Sequence, residues 1–206
     1  MRIGIIGAGN VGSALGAGWS KAGHKIIFGS REPKSQKMLE LSQSTGAATG
    51  SNQQAAEADV VVLTMPWPAV NEVVSGLQLS GKVVVDVTNP LLPDLSGLEV
   101  GTTTSAAELV AQRAKGARVV KAFNTVGFNV MAHPQFRDGS AVMFYCGDDA
   151  KAKKTVHQLA ADLGFDPHDA GPLTQARYLE PFAMLWITLA LKQGYGREFG
   201  FKLMQR

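Results

Sequence analysis

Short apolar runs rich in β-branched residues recur along the chain and alternate with segments of helical periodicity. Each run is almost continuously apolar instead of alternating between apolar and polar residues, which is typical of strands buried on both faces of a parallel sheet. The predicted strands are Arg2–Ile6, Lys25–Phe28, Val60–Thr64, Val83–Val87, Val119–Ala122 and Val142–Cys146, with a weaker edge strand at Phe165–Asp169.

The segments between these runs are predicted to be helices that cross from one strand to the next. They are Val11–Ala22, Ser35–Ser44, Ala69–Leu77, Ser105–Lys115 and Ala150–Leu163. Strands that alternate with helices are joined by right-handed crossovers, which place helices on both faces of a parallel sheet. The pattern therefore predicts an α/β fold with a Rossmann-type, doubly wound, mostly parallel sheet.

The C-terminal part of the chain has a different pattern. Arg177–Gln193 is a predicted helix that is apolar almost all round, so it needs cover on every side. We expect the ligand pocket and a second subunit to supply that cover. The chain thus divides into a sheet domain at 1–173 and a C-terminal helix and tail at 174–206, which close the cleft and contribute to a dimer.

A glycine-rich turn joins the first predicted strand to the first predicted helix. Gly7, Gly9 and Gly12 have the G-x-G-x-x-G spacing, and Asn10 and Val11 open the helix. In a dinucleotide-binding turn the first glycine allows a tight turn, the second lets the backbone approach a pyrophosphate, and the third lets helix and strand pack closely. The free N–H groups and the positive dipole end of the helix then face the phosphates. Because a strand precedes the turn and a helix follows it, we interpret it as a dinucleotide-binding site.

The end of the second strand indicates which dinucleotide binds. An NAD site usually has an acid there, bonded to the ribose hydroxyls. Ser30 occupies that position here, with Arg31 beside it and Lys34 a few residues further on. A hydroxyl, a guanidinium and an ammonium suit a 2′-phosphate, so we predict NADP(H) as the cofactor. Glu32 leaves an alternative open, since it could serve as the acid if the turn shifted by two residues.

Polar and proline residues follow three further strands at the edge where open α/β sheets bind their ligands. We expect them to form a wall around a nicotinamide amide, although ordinary turn chemistry also places such residues at strand ends. They are Thr64, Met65 and Pro66, then Asn89 and Pro90, then Ala122 and Asn124. We expect Asn124 on the acceptor side of that wall, and we expect Asp86 to bond loop amides rather than act in acid–base catalysis.

Composition narrows the classes of function and partner. The 206 residues are 45% hydrophobic and 18% charged, which suits a packed core. The formal net charge is only +3 and no Lys/Arg run occurs, which argues against a nucleic-acid partner. The longest apolar stretch, Phe182–Leu191, is shorter than the ~20 residues of a membrane span, and the N-terminus reads as a strand rather than a signal peptide. We therefore predict a cytoplasmic protein without a membrane partner.

The reactive side chains indicate neither a metal site nor a nucleophile. Cys146, the single cysteine, lies in an apolar run, so we interpret it as a core residue and expect a reducing compartment. The four histidines lack metal-ligand spacing, and no Ser–His–Asp pattern stands out. Hydride transfer between two bound redox cofactors needs positioning more than a general base, so the pattern favours that chemistry over an alcohol dehydrogenase.

Motifs along nearly the full length resemble the NADPH:F420 oxidoreductases, a family of F420-dependent NADP reductases. The more specific ones are Cys146–Asp149 and Asp169–Leu173, together with the short C-terminal helix. The others are Gly7–Gly12, Gly29–Arg31, Leu63–Trp67, Val85–Thr88, Ser105–Glu108, Arg177 with Glu180, Gly194–Gly196 and Gly200–Lys202. The resemblance implies NADP at the glycine turn, its 2′-phosphate on Ser30, Arg31 and Lys34, and a deazaflavin stacked on the nicotinamide in a cleft that the C-terminal segment closes. It also implies a homodimer.

One stretch departs from that family's pattern and leaves the small-molecule hydride acceptor open. Members that use F420 carry His in an Ala-Leu-His-Thr stretch where this chain has Ala122–Thr125. Lys121–Thr125 instead resembles the reductase domain of the STEAP metalloreductases, which pass hydride from NADPH to a flavin. Coenzyme F420, FMN and FAD are therefore alternative acceptors, and a nucleotide sensor without turnover is a further alternative. A reductase of the pyrroline-5-carboxylate kind would need a larger C-terminal helical domain.

Overall fold

The computed structural model describes residues 1–206, and an eight-stranded sheet lies at its centre. The strands of that sheet are β1 (Arg2–Ile6), β2 (Lys25–Gly29), β3 (Ala48–Gly50), β4 (Val60–Leu63), β5 (Val83–Asp86), β6 (Arg118–Lys121), β9 (Val142–Gly147) and β10 (Asp166–Asp169). A separate hairpin consists of β7 (Gln135–Phe136) and β8 (Gly139–Ser140).

Eight helices cover the sheet. They are α1 (Asn10–Lys21), α2 (Gln36–Thr45), α3 (Asn52–Ala56), α4 (Trp67–Ser75), α5 (Ala106–Arg113), α6 (Phe128–Ala132), α7 (Ala150–Leu163) and α8 (Ala176–Lys192). A short 3₁₀ turn, Leu173–Gln175, leads into α8. No helix is long and apolar enough to cross a membrane.

The strand order is β10-β9-β6-β5-β4-β1-β2-β3, and neighbouring strands are parallel except β6 and β9. After β6 the chain forms α6 and the β7–β8 hairpin and then runs back into the sheet as the antiparallel strand β9. The prediction of a doubly wound, mostly parallel α/β sheet is confirmed. The carboxyl ends of β1, β2 and β4 lie together, which is where such sheets bind ligands.

The strands have two buried faces, as their continuous apolar runs predict. In β4, Val60 and Val62 belong to the core shared with α1, α2, α6 and α7, whereas Val61 and Leu63 belong to the core shared with α3, α4, α5 and α8. Successive side chains of a strand point to opposite faces, so an all-apolar strand supplies both cores at once.

The six predicted helices and seven predicted strands are all present, with ends that differ by at most two residues. The elements that the pattern did not predict are β3, α3, α6, β7, β8 and the 3₁₀ turn, each two to five residues long. Elements this short contain too few positions to show a periodicity.

Within one chain α8 is covered on one side only, and the expectation that a second subunit covers the rest stays a prediction. Tyr178 is 71% exposed, Leu185 48% and Leu191 45%. Only one side of the helix, including Leu179 and Trp186, is buried against the rest of the chain.

Candidate functional site

A cleft of about 680 Å³ opens beside the glycine turn at the carboxyl ends of β1, β2 and β4. Its volume is in the range of small-molecule sites. Its walls are formed by Gly7, Ala8, Gly9, Asn10, Val11, Ser30, Arg31, Glu32, Ser35, Lys37, Met38, Thr64, Met65, Pro66, Phe128 and Arg197. An adjoining pocket of about 230 Å³ shares part of this wall and reaches the start of α3 and the outer side of α4.

The glycine turn is locked by a threonine at the end of the neighbouring strand. Gly7 has a φ of 114°, a conformation that only glycine adopts readily. The hydroxyl of Thr64 donates to the carbonyl oxygen of Gly7 at 2.7 Å and approaches that of Ile6 at 3.2 Å. A Cβ on Gly12 would lie 2.0 Å from the Gly7 carbonyl oxygen. Thr64 therefore holds the turn in shape, and Gly12 lets α1 pack against it.

The same turn leaves room and polarity for a phosphate. A Cβ on Gly9 would meet nothing within 4 Å, so the backbone there faces open space. Gly9 is also the N-cap of α1, and it has no side chain to satisfy the first N–H groups of that helix. The first turn of α1 contains no acidic residue. Free N–H groups and an uncompensated positive dipole end suit a pyrophosphate.

The cations expected near the end of β2 are arranged differently from the prediction. Arg31 lines the cleft, and Ser30 beside it accepts a hydrogen bond from the backbone N–H of Glu32 at 3.1 Å. Lys34 is exposed outside the cleft, and Lys37, in the first turn of α2, lines the cleft in its place. Glu32 lines the cleft as well. The cleft therefore contains both the cations expected for NADP and the acid expected for NAD.

Nine predicted residues meet in the cleft, and six do not line it. The nine are Gly7, Gly9, Asn10, Val11, Ser30, Arg31, Thr64, Met65 and Pro66. The six are Gly12, Lys34, Asn89, Pro90, Ala122 and Asn124. Gly12 lies directly behind the turn, and Ala122 is fully buried.

Asn89 and Asn124 bond to each other and to α8. The Nδ2 of Asn124 donates to the Oδ1 of Asn89 at 3.1 Å and to the carbonyl oxygen of Leu179 at 3.0 Å. The Nδ2 of Asn89 donates to the carbonyl oxygen of Asn124 at 2.9 Å. Two acceptors face the Asn124 amide nitrogen, and its buried Oδ1 has no donor. The pair ties the ends of β5 and β6 to the C-terminal helix.

The backbone before Asn124 is strained. Phe123 has a φ of 60°, which is an outlier for a bulky residue. Its ring is fully buried in edge contacts with Trp19 at 5.6 Å and Phe165 at 6.1 Å between centroids, and its N–H donates to the sulfur of Met143. This packing holds the strained conformation, which turns the chain at the end of β6 and aims Asn124 at α8.

A cluster of three buried charges lies between the sheet and α8. The Nζ of Lys121 is 3.0 Å from Asp86 and 2.9 Å from Glu180, and all three side chains have no solvent exposure. Lys121 also donates to the carbonyl oxygen of Thr88. Asp86 accepts from the N–H and the hydroxyl of Thr88, as its predicted role of bonding loop amides requires.

Glu180 links this cluster to the N-terminus of α5, where its carboxylate accepts from the N–H groups of Ala106 at 2.9 Å and Ala107 at 3.2 Å. Burial raises the pKa of the Glu180 carboxyl, against the opposing effect of the Lys121 ammonium. Burial alone would lower the pKa of Lys121, but Asp86 and Glu180 outweigh it and hold that pKa above its ordinary value. Lys121 is therefore a cation at neutral pH.

Two other side chains near α8 have shifted pKa values. Hydrogen bonds from Arg177, at 2.9 and 2.6 Å, hold the pKa of Glu108 below its ordinary value. Burial raises the pKa of the Cys146 thiol to about 12, which fits the prediction that it is an inert core residue. No group of three or more His, Cys, Asp or Glu side chains lies close enough together to hold a metal ion.

The sequence analysis did not place Ser35, Lys37 and Met38 near the start of α2, or Phe128 and Arg197, in the cleft, and it did not pair Lys121 with Glu180. A lysine in the first turn of the helix after β2 was a usable signal for Lys37. Phe128, Arg197 and Glu180 come from distant parts of the chain, and no local pattern indicates these contacts.

Comparison with known proteins agrees with this geometry. Residues 2–90 match the sequence model of a family described as NADP oxidoreductase, coenzyme F420-dependent. The F420-dependent NADP reductase of Methanothermobacter thermautotrophicus is 31% identical over 93% of this chain and 90% of its own length. The metalloreductase STEAP3 of Rattus norvegicus is 32% identical over 87% of this chain, but the match spans only 36% of that longer protein.

A solved structure from Arthrobacter sp. FB24, described as an F420-dependent NADP reductase, matches the whole of both chains with a TM-score of 0.86 and 27% identity. The chain thus shares its whole fold with one such reductase and more than 30% sequence identity with nine-tenths of another. The chain belongs to the family of F420-dependent NADP oxidoreductases.

Proposed function

We propose that this protein binds NADPH in the cleft beside the glycine turn and transfers hydride to a deazaflavin or flavin-like acceptor. The observation that carries the proposal is the union of two features in one cleft. The uncapped N-terminus of α1 with its open backbone at Gly9 suits a pyrophosphate, and Arg31 and Lys37 near the end of β2 suit a 2′-phosphate.

The adjoining pocket suits the adenine of the same nucleotide. It lies on the other side of the end of β2, and Asn52, Glu72 and Val73 are among its walls. The Oδ1 of Asn52 is buried without a hydrogen-bond donor. A buried acceptor without a donor is costly, and an exocyclic amino group of a base would satisfy it.

The cleft contributes orientation rather than proton transfer. Its walls contain no His, Cys, Asp or Tyr, and Glu32 is its single acid, at the end predicted for the adenosine ribose. NADPH, when bound, supplies the hydride. Thr64 fixes the glycine turn, and Met65 and Pro66 add apolar surface to the wall beyond it. Positioning of this kind suffices for transfer between two redox cofactors.

Arg31→Ala tests the choice of NADPH over NADH. Loss of a charge-assisted hydrogen bond should weaken NADPH binding by roughly 1.5–3 kcal/mol, while NADH binding changes little because it has no 2′-phosphate. Fluorescence titration of both nucleotides measures the two dissociation constants. Lys34→Ala is the matched control, because Lys34 is exposed near the cleft without lining it. Equal losses for NADPH and NADH in Arg31→Ala would contradict the assignment.

The acceptor is tested by the loss of reduced-nicotinamide absorbance with coenzyme F420, FMN and FAD in parallel. Membership in the F420-dependent family favours F420. Turnover with F420 alone supports the deazaflavin reading. Binding of NADPH without turnover on any of the three would favour a sensor.

The second candidate is an NADPH-dependent flavin or metal-linked reductase. The observation that favours it is Asn124 in the stretch Lys121–Thr125, at 32% overall identity to a metalloreductase. This chain spans about a third of that relative, and the proposal takes over only the hydride transfer from NADPH. Turnover with FMN or FAD and none with F420 would select it.

We also propose that the exposed side of α8 contacts a second copy of the chain. Tyr178 and Leu185, seven residues apart on one side of the helix, leave apolar surface in water in a monomer. Light scattering of the purified protein should give twice the mass of the chain, and a monomer at all concentrations would contradict the proposal.

A further inference from the structure

A cation that the glycine-turn motif does not explain lies on one wall of the cleft. Arg197 belongs to the C-terminal tail after α8, and its guanidinium carbon lies 6.0 Å from the ring centroid of Phe128, the first residue of α6. Arg31 and Lys37 enter the cleft after β2, which lies beside β1, whereas α6 follows β6, on the other side of β1. The glycine turn at the end of β1 therefore has Arg31 and Lys37 on one side and Arg197 on the other.

The tail that carries Arg197 is held against the sheet domain. The Nε1 of Trp186 donates to the carbonyl oxygen of Phe199 at 3.0 Å, and the two rings stack at 5.2 Å with an interplanar angle of 19°. Two residues further on, the carbonyl oxygen of Phe201 accepts from the N–H of Val142, at the start of β9, at 2.9 Å. Gly196, with a φ of 70°, turns the chain just before Arg197. The position of Arg197 is thus set by packing on its C-terminal side.

Arg197 has no anionic partner within the chain. It takes part in none of the ion pairs. The adjacent acid, Glu198, accepts a hydrogen bond from Asn129. A guanidinium that rests on an aromatic ring keeps its five donors for another acceptor.

The glycine turn and the first turn of α1 provide no charged side chain for the pyrophosphate of a bound dinucleotide. Arg31 and Lys37 lie on the side predicted for the 2′-phosphate. The first turn of α1 offers N–H groups to the pyrophosphate, but Asn10, Val11 and Gly12 carry no charge. Two adjacent phosphates with two negative charges would face only partial positive charge there. Arg197 is the remaining cation in the walls of the cleft.

We propose that Arg197 binds the pyrophosphate of the dinucleotide from the side opposite the glycine turn, so that the tail acts as a clasp over the bound cofactor. This inference rests on the proposed function. It assigns the three cations of the cleft to different phosphates, Arg31 and Lys37 to the 2′-phosphate and Arg197 to the pyrophosphate. The two assignments have different signatures, because NADPH and NADH share the pyrophosphate and differ in the 2′-phosphate.

The test compares Arg197→Met with Arg31→Ala for three ligands: NADPH, NADH and adenosine 2′-monophosphate, which lacks a pyrophosphate. Dissociation constants come from fluorescence titration for the dinucleotides and from competition for the monophosphate. Arg197→Met should weaken NADPH and NADH by the same factor, roughly ten- to a hundredfold, and leave the monophosphate unchanged. Arg31→Ala should weaken NADPH and the monophosphate and spare NADH.

Two further variants make the result specific. Lys192→Met removes an exposed cation at the end of α8 that does not line the cleft, and all three dissociation constants should stay within twofold of wild type. Arg197→Lys keeps the charge and should recover part of the loss. Circular dichroism of each variant checks that the fold is retained.

An unchanged NADPH dissociation constant in Arg197→Met would overturn the inference. A loss that spares NADH, or one that extends to the monophosphate, would overturn it as well, because Arg197 would then act on the 2′-phosphate or on the fold. Wild-type protein that bound neither dinucleotide would refute the proposed function itself, and Arg31→Ala reports on that function independently of Arg197.

Discussion

Replacement of Lys121 by methionine should destabilise the protein more than any single loss of a surface charge. Methionine fills a similar volume but removes the one cation among three buried charges. Asp86 and Glu180 would then be two carboxylates with no solvent exposure and no opposite charge. Removal of one partner from a buried ionic cluster typically costs about 3–5 kcal/mol.

The surviving hydrogen bonds keep the cost within that range. Asp86 keeps two donors from Thr88, and Glu180 keeps the N–H groups of Ala106 and Ala107. The losses are confined to one carboxylate oxygen on each acid and to the Thr88 carbonyl, which the Lys121 ammonium contacts. We expect the free energy of unfolding to fall by ~3–5 kcal/mol at pH 7.5.

The deficit should shrink in acid. Without the opposing charge of Lys121, burial raises the folded-state pKa of Glu180 further above its ordinary value of 4.5. The folded variant then binds a proton that the unfolded chain does not, so its stability increases as the pH falls towards that ordinary value. For each extra proton that the folded variant binds, its free energy of unfolding should rise relative to wild type by up to about 1.4 kcal/mol per unit fall in pH.

Urea unfolding of wild type and Lys121→Met at pH 7.5 and pH 5 measures both quantities. The double variant Lys121→Met/Glu180→Gln is the control, because it removes one of the two unpaired carboxylates and should recover part of the loss. A deficit below about 1 kcal/mol at pH 7.5, or one that is the same at both pH values, would refute the reasoning.

Two further predictions concern the glycine turn and the support of α8. Gly9→Ala should leave the urea midpoint near that of wild type, because its Cβ meets nothing in the chain, but it should weaken NADPH binding at least about tenfold, because that Cβ points where a phosphate would lie. Gly12→Ala should weaken NADPH binding and also lower the urea midpoint, because its Cβ would lie 2.0 Å from the Gly7 carbonyl oxygen. Normal NADPH binding by Gly9→Ala would contradict the first part. The bonds from Arg177 lower the pKa of Glu108, so their stabilisation is present above pH 4.5 and is lost as the pH falls through the lowered pKa. Glu108→Gln should therefore be less stable than wild type at pH 7 and converge with it in acid, whereas a constant gap in urea unfolding across that range would count against the pair.

The fold and the shape of the glycine turn follow from local patterns in the sequence, which is why they could be predicted from it. A strand such as Val60–Leu63 is apolar at every position because both faces are covered, and that continuity is visible in four letters. Gly7, Gly9 and Gly12 act through the shape of the backbone within one turn, so their spacing in the sequence is enough to predict that shape. The alternation of strands and helices then restricts the topology to a doubly wound sheet.

Local sequence patterns did not predict the short elements or the directions of the side chains. Lys34 and Lys37 are both basic residues after β2, and only the start of α2 at Gln36 decides which of them faces the cleft. Asn124 follows its strand as predicted, but the strained turn at Phe123 directs its amide to Leu179. A residue's distance from a strand end is local, whereas the direction of its side chain depends on what packs behind it.

The sequence by itself determined the order of the elements, the two buried faces of the sheet and the position of the glycine turn. Only the tertiary structure decided which distant side chains share an environment. Glu180 meets the N-terminus of α5 across 74 residues of sequence, and Arg197 reaches a cleft whose other walls come from the first 66 residues and Phe128. The spacing of apolar residues indicates which positions are buried, because each residue's polarity is visible in the sequence. A contact between charges that are far apart in the sequence depends on how whole elements pack.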